Sequence, residues 1–264
     1  MKWLKRSSKF KLALVILASM AVGLLGGFLL PYYPGTAKFL SNIYHSLPVS
    51  QDVATGERVV TLNTRTFRVA GDADVYDTER DSVYIYEARK LDLNKVALVL
   101  IDVWEYVPNG GAIEQRVKRN IESKIVPLLQ LMRKHDMTVI HAPHNYQIAE
   151  LAKPLPDEFV VDSHNLIDDT VELDRYLRAH NIKTLLYAGY ASNWCVLHRP
   201  TGIVKMKELG YSIILLRDCT KGSETPESLE GEWGNRMAIY TVESQFGATT
   251  TLEDLEAALE QVDS

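Results

Sequence analysis

The sequence has little cysteine and little excess of either charge. Its two cysteines, Cys195 and Cys219, are too few for a disulfide framework or for a structural zinc site with the usual four ligands. The formal net charge of -5 is spread along the chain, and no stripe of basic and aromatic residues occurs. This distribution argues for solubility and gives no indication of nucleic-acid binding.

One long apolar run lies at the N-terminus. Residues 12–30 carry no charge and have about the length that a helix needs to cross a bilayer. The basic residues ahead of the run are Lys2, Lys5, Arg6, Lys9 and Lys11. We interpret residues 1–31 as an uncleaved signal anchor, which predicts a single-pass membrane protein with its main domain on the extracytoplasmic side. A cleaved signal peptide is the alternative, with Gly35 and Ala37 near the cleavage site.

Residues 32–90 are predicted to form a linker and a short β-rich extension. Proline, glycine and aromatic residues are mixed as far as about Pro48. Residues 58–70 then alternate as a strand does, and residues 83–86 indicate another strand. We expect these two strands to pack on the main domain.

From residue 91 to the C-terminus the pattern predicts an α/β domain. Residues 96–101, VALVLI, form a continuous apolar run, which is typical of a parallel strand covered on both faces. Further strands are predicted at 137–142, 184–189, 211–217 and 248–250, and helices at 113–135, 171–180, 194–209 and 226–245. Thr251 is predicted to cap a last helix. This alternation predicts a three-layer αβα domain with an open, mostly parallel sheet.

Polar residues follow several of the predicted strands, at the edge where open parallel sheets hold their ligands. They are Asp102, His141, His144, the stretch 190–195 and Asp218. Asp102 directly follows the first apolar strand, and Cys195 is predicted to lie in the first turn of a helix, where the dipole favours a thiolate. A loop cap for Asp102 and a small buried side chain for Cys195 are the simpler interpretations.

The order and spacing of these motifs resemble those of the isochorismatase-like cysteine hydrolases, which include nicotinamidases and N-carbamoylsarcosine amidases. The residues that carry the resemblance are Ile101, Asp102, Gly189, Ala191, Cys195, Val196, Gly210, Tyr211 and Asp218. The similarity runs from about residue 91 to the C-terminus. Residues 193–206, NWCVLHRPTGIVKM, are similar to a poorly characterised branch with a Cys-Val-Leu-x-Arg-Pro pattern.

The resemblance implies a thiol hydrolase that acts on a small molecule without a cofactor. Asp102 would take the proton of Cys195, and the thiolate would attack the carbonyl carbon of an amide or related C–N bond. A cis peptide bond before Ala191 would help to turn the backbone N–H groups of Ala191 and Cys195 toward the developing oxyanion.

The third catalytic residue of the family, a lysine, has no counterpart in the sequence. The corresponding neighbourhood holds Asp162, Ser163 and His164, and the nearest lysine upstream is Lys153. Without a cation, nearby acids would raise the pKa of the Cys195 thiol. Three explanations stay open: a histidine, His164 or His144, supplies the charge, the substrate is cationic, or the site is inactive.

Four residues are predicted to line the substrate site. Trp104 and Tyr190 would form aromatic walls, His144 would contact the substrate, and Arg199 would clamp a carboxylate from the helix face of Cys195. Core packing or an ordinary ion pair would explain the aromatic residues and Arg199 equally well. His141 and His144 lack an acidic partner at a suitable spacing, so no metal is predicted.

The sequence therefore supports three hypotheses, of which we favour the first. The protein is a thiol-dependent amidase, or a catalytically impaired scaffold of the same fold at the membrane, or a redox sensor that pairs Cys195 with Cys219. We also expect a homo-oligomer, because relatives commonly associate through this sheet domain.

Overall fold

A single mixed sheet organises the described part of the chain in the computed structural model, which comprises residues 58–68, 82–105, 111–144, 147–161 and 166–262. The strands are β1 (Val59–Arg68), β2 (Val83–Asp92), β3 (Val96–Ile101), β4 (Thr138–Ala142), β5 (Phe159–Val160), β6 (Thr184–Tyr190), β7 (Ser212–Lys221) and β8 (Ala248–Thr250). Their order is β2-β1-β8-β7-β6-β3-β4-β5. Strands β3 to β8 pair in parallel, whereas β1 is antiparallel to β2 and β8.

Helices cover both faces of this sheet. They are α1 (Ala112–Asn120), α2 (Val126–Lys134), α3 (Leu166–Ala179), α4 (Cys195–His198), α5 (Ile203–Glu208), α6 (Trp233–Thr241) and α7 (Leu252–Leu259). A π-helical turn, Ile121–Ile125, joins α1 to α2. One apolar cluster packs α1, α2 and α7 on the sheet, and a second packs α3 to α6 on the opposite face. The predicted three-layer fold with a mostly parallel sheet is confirmed.

Strand β3 is apolar at every position because both of its faces are covered. All six of its residues are buried. Leu98 and Leu100 belong to one cluster, while Val99 and Ile101 belong to the other. Because successive side chains point to opposite faces, a strand covered on both sides has no position left for a polar side chain.

The N-terminal strands extend this same sheet. Strand β1 pairs with β2 along ten residues and meets β8 at the pair Arg65 and Thr249. Strand β2 is longer than the sequence pattern indicates, because its backbone pairs along the whole of β1 while side chains such as Tyr84 and Tyr86 stay exposed. The alternation of apolar and polar residues is therefore a weak indicator of where β2 ends.

The single helix predicted at 194–209 is two short helices, so that expectation was wrong. Arg199 leaves the helical conformation, with φ -58° and ψ 157°, directly before Pro200. A proline disfavours helical backbone in the residue before it, and α5 starts afresh after Gly202. The break turns Arg199 out of the helix that begins at Cys195.

The predicted membrane anchor, residues 1–31, lies outside the described residues, as does the linker up to residue 57. Within the described part of the chain, no helix has both the length and the apolar character that a membrane crossing requires.

A glycine permits the close approach of β3 and β6. Gly189 pairs with Ile101 and has φ +116°, a conformation that side-chain-bearing residues rarely adopt. A Cβ atom at this position would lie 2.0 Å from the carbonyl oxygen of Ile101. Any side chain here would push apart the two strands that precede Asp102 and Ala191.

We expect Gly189→Ala to lower the free energy of unfolding by about 3 kcal/mol, because it adds backbone strain and a clash with β3. Urea unfolding followed by circular dichroism measures the change. Gly111→Ala is the control, since Gly111 has an ordinary φ of -65° and a Cβ atom there would meet no other atom within 4 Å. Equal midpoints for the two variants would contradict the prediction.

Candidate active site

Asp102 is a buried carboxylate at the carboxyl end of β3. Its residue is 0% exposed, has φ +50°, and donates its backbone N–H to the carbonyl of Ala142 at 3.1 Å. Carboxylate Oδ2 accepts hydrogen bonds from Nε and Nη2 of Arg199 at 3.2 and 3.1 Å. The other oxygen, Oδ1, is buried and has no partner in ordinary hydrogen-bond geometry among the described residues. Arg199 thus holds Oδ2 of the carboxylate, and Oδ1 can still accept a hydrogen bond or a proton.

The thiol of Cys195 lies beside this carboxylate, close enough for each group to shift the pKa of the other. Burial raises the pKa of the Cys195 thiol, and the Asp102 carboxylate raises it further. Arg199 and the backbone N–H of Ala191 act in the opposite direction. The pKa of this thiol was expected to be lowered by a helix dipole, but it is raised: α4 is only four residues long, and burial is the largest effect.

Arg199 supplies a cation that the sequence pattern does not reveal. It was expected to clamp a substrate carboxylate, but the carboxylate that it binds is Asp102. The break at Pro200 frees its side chain, which is 22% exposed, to reach across to the end of β3. Leaving Asp102 without this partner would strand a buried charge, which costs about 3–5 kcal/mol. The alternative residue His164 lies outside the described residues.

The peptide bond between Tyr190 and Ala191 is cis, as the resemblance implies. The N–H of Ala191 faces the sulfur of Cys195. The carbonyl of Ala191 accepts from the N–H groups of Trp194 and Val196, so this turn returns the chain directly into α4. That the N–H groups of Ala191 and Cys195 form an oxyanion hole stays a prediction.

His144 lies at the same edge of the sheet, as predicted. It follows β4 with φ +53°, and its Nδ1 is 3.7 Å from Oδ2 of the buried Asp169. Burial, the largest effect on the Asp102 carboxyl, raises its pKa, whereas the positive influence of His144 lowers it. Asp102, Cys195, Arg199 and His144 are therefore gathered at one place.

An open cavity of about 560 Å³ reaches Cys195. Its lining residues are Asn193, Trp194, Cys195, His198, Arg199 and Pro200. The indole of Trp194 is 67% exposed. Asn193 and Trp194 fall in the stretch 190–195 that the sequence singled out, whereas His198 and Pro200 were missed, although their position close to Cys195 in the chain was the available signal.

A sequence model of the Isochorismatase domain matches residues 96–254, which is more than half of the chain. The chain belongs to the isochorismatase family. The match includes all four residues gathered at the site.

Two curated relatives are ureidoacrylate amidohydrolases RutB. The protein from Azorhizobium caulinodans is 29% identical over 119 residues, which cover 45% of this chain and 48% of the relative. The protein from Variovorax paradoxus is 29% identical over 113 residues, which cover 42% of this chain and 40% of the relative. The chain thus spans half or less of the length of these relatives.

A solved structure of a cysteine hydrolase from Pseudomonas syringae pv. phaseolicola has the same fold. It superimposes with a TM-score of 0.54 at 19% identity, covering 65% of this chain and 95% of that one. At this identity the likeness concerns the fold alone.

Trp104 and Tyr190, which were predicted as pocket walls, are not among the residues that line the cavity at Cys195. Tyr190 is 3% exposed and donates its hydroxyl to Asn120 Oδ1 at 2.7 Å, so it belongs to the core beneath α1. Trp104 donates its indole N–H to the carbonyl of Pro143 at 2.8 Å and joins the loops after β3 and β4. In this isochorismatase-family chain, the aromatic side chain beside the thiol is Trp194.

Two other polar residues at this edge serve the packing of the domain. His141 is buried, and its Nε2 is 2.9 Å from Oε2 of Glu158, which also binds Arg133. Asp218 accepts from Lys124 and from the N–H of Leu252 at the start of α7. Among the described residues, no group of three or more His, Cys, Asp or Glu side chains is arranged to hold a metal ion.

The redox hypothesis loses support from the placement of its second cysteine. Cys219 is fully buried in the cluster under α1, α2 and α7, whereas Cys195 packs against the cluster on the opposite face of the sheet. Burial and the neighbouring Asp218 raise the pKa of the Cys219 thiol strongly. Such a thiol is a poor nucleophile.

We expect the charges around Cys195 to control its alkylation by iodoacetamide. Asp102→Asn removes a negative charge and should move the midpoint of the rate–pH profile to lower pH. Arg199→Gln removes a positive charge and should move it to higher pH.

Peptide mapping by mass spectrometry assigns the label to Cys195. Lys205→Gln, which removes an exposed cation on α5, is the control for net charge and should leave the midpoint unchanged. Shifts of the same sign in the Asp102 and Arg199 variants would refute the proposed arrangement.

Proposed function

We propose that this protein hydrolyses an amide or a related C–N bond in a small molecule, with Cys195 as the nucleophile and Asp102 as the general acid and base. The observation that carries the proposal is that the two carboxylate oxygens of Asp102 have different surroundings. Arg199 holds Oδ2, Oδ1 is buried without an ordinary partner among the described residues, and the carboxylate lies beside the thiol. The amidohydrolase names of the curated relatives support the same reaction class.

The reaction begins with transfer of the thiol proton of Cys195 to Oδ1 of Asp102. The sulfur attacks the carbonyl carbon and forms a tetrahedral intermediate. The proton then passes from Asp102 to the departing nitrogen, and the C–N bond breaks to leave a thioester on Cys195. The raised pKa of the thiol opposes transfer of its proton to Asp102, whereas the raised pKa of the carboxyl favours it, so the proton transfer and the attack are expected to be closely coupled.

Arg199 acts as the positive charge that the family lysine supplies elsewhere. Its two hydrogen bonds fix the orientation of the carboxylate and favour the charged form of Asp102 against the effect of burial. Its charge also favours the thiolate of Cys195. A guanidinium that donates two hydrogen bonds gives one oxygen a fixed position, which a lysine ammonium does less well.

The developing negative charge on the carbonyl oxygen needs donors near the sulfur. The N–H of Ala191 already faces that sulfur, and together with the N–H of Cys195 it forms the oxyanion hole in this proposal. The exposed indole of Trp194 lies next to Cys195 in the cavity and would stack on a planar group beside the reacting carbonyl. Ureido compounds and primary amides both fit this description.

The scaffold hypothesis rested on the absence of the family lysine, and the ion pair of Arg199 with Asp102 supports the enzyme instead. The membrane anchor, the extracytoplasmic placement of the domain and the homo-oligomer stay predictions from the sequence.

We expect Cys195→Ala to abolish release of ammonia from ureidoacrylate, N-carbamoyl amino acids and nicotinamide, because no other described thiol reaches the cavity. Ammonia is measured by a coupled glutamate dehydrogenase assay. Cys219→Ala is the matched control: it removes the buried thiol on the opposite face and should retain turnover.

Turnover that persists in Cys195→Ala would overturn the proposed mechanism. If the wild-type protein hydrolyses none of the three substrate types although Cys195 is alkylated, the scaffold hypothesis would be favoured.

A further inference from the structure

An acid–histidine pair, Asp169 and His144, lies next to the proposed nucleophile site. The loop that carries His144 is fastened to the loop after β3 by two contacts. Asp102 donates its N–H to Ala142, and Trp104 donates its indole N–H to Pro143. These contacts fix residues 142–144 beside Asp102, in agreement with the effect of His144 on that carboxyl.

Asp169, the partner of His144, is also held in place by its surroundings. Asp169 lies near the start of α3 and is 2% exposed, with Oδ2 3.7 Å from Nδ1 of His144. The next residue, Thr170, donates its hydroxyl to the carbonyl of Pro200 at 2.8 Å. The start of α3 is therefore held against the segment that carries Arg199, so Asp169, His144 and Asp102 converge from three elements.

We propose that His144, oriented by Asp169, is the general base that activates the water molecule for hydrolysis of the Cys195 thioester. The inference rests on the proposed function and adds a catalytic residue to it. Asp169 is a positioning residue, because it acts on the reaction only through the imidazole.

The chemistry of the two candidates for this step favours the histidine. Arg199 occupies Oδ2 of Asp102, and the proposed function assigns Oδ1 to the proton of Cys195, so neither oxygen is left for a water molecule. A neutral imidazole can take a proton from water near neutral pH, and histidine is the side chain that most often does so in enzymes. The Asp169 carboxylate lies on the Nδ1 side of the ring at 3.7 Å, and shortening of this contact to a hydrogen bond would fix the tautomer that leaves Nε2 as the acceptor.

Hydrolysis of the thioester needs one water molecule and no other reactant. The water oxygen attacks the thioester carbonyl carbon while Nε2 of His144 takes one of the two water protons. Collapse of the tetrahedral intermediate breaks the C–S bond and releases the acid. The imidazolium then gives its proton to the departing sulfur, through Asp102, so that thiol and neutral imidazole are restored.

The test separates formation of the acyl-enzyme from its hydrolysis, with p-nitrophenyl acetate as the probe. The first turnover releases p-nitrophenolate and leaves an acetyl group on Cys195. The acetylated full-length protein is separated from the reagent, and the loss of the acetyl group is timed by intact-mass spectrometry.

We expect His144→Gln to acetylate at close to the wild-type rate and to lose the acetyl group about a hundredfold more slowly. Asp169→Asn should show the same selective defect, in smaller measure. His180→Gln is the control, since His180 is an exposed histidine at the far end of α3 that contacts Tyr176. A purely structural role for His144 would slow both steps alike.

Deacetylation at the wild-type rate in His144→Gln, or an equal loss in both steps, would overturn the role of His144 and leave the proposed function intact. Failure of the wild-type protein to acetylate at Cys195 would overturn the proposed function itself, and the inference with it.

Discussion

The position of β3 between β4 and β6 is the constraint on which the site depends. Parallel pairing on both sides brings the ends of three strands to one edge, where Asp102, His144 and the turn at Ala191 follow. The chain runs from β3 to β4 on one side and reaches β6 on the other, so a crevice opens at β3. Gly189 allows the β3 and β6 backbones to meet there without a side chain between them.

Burial of Asp102 creates a problem that the rest of the site resolves. A carboxylate removed from water is unstable unless its charge is compensated, and burial alone raises the pKa of its carboxyl group. Arg199 compensates it from a segment that also carries Cys195. A short stretch of chain therefore links Cys195 to Arg199, and the end of α4 before Pro200 sets where the cation lies relative to the thiol.

This arrangement differs from the family pattern in the source of the cation. The resemblance implies a lysine at the end of another strand, whereas in this chain the break before Pro200 directs Arg199, from the segment of Cys195, to Asp102. The motif Cys-Val-Leu-x-Arg-Pro thus has a physical meaning: the proline ends α4, and the arginine before it points to the carboxylate.

The sequence by itself determined the fold class and the two residues proposed to react. An apolar run such as VALVLI reflects burial on both faces of a strand, and Asp102 and Cys195 stand at fixed distances from such strands. Only the tertiary structure decided the partner of Arg199, the burial of Tyr190 against Asn120 and the exposure of Trp194. Periodicity reports whether a side chain is buried within its own element. Which side chains meet across the edge of the sheet depends on how each loop leaves its strand, and that geometry is set by long-range packing.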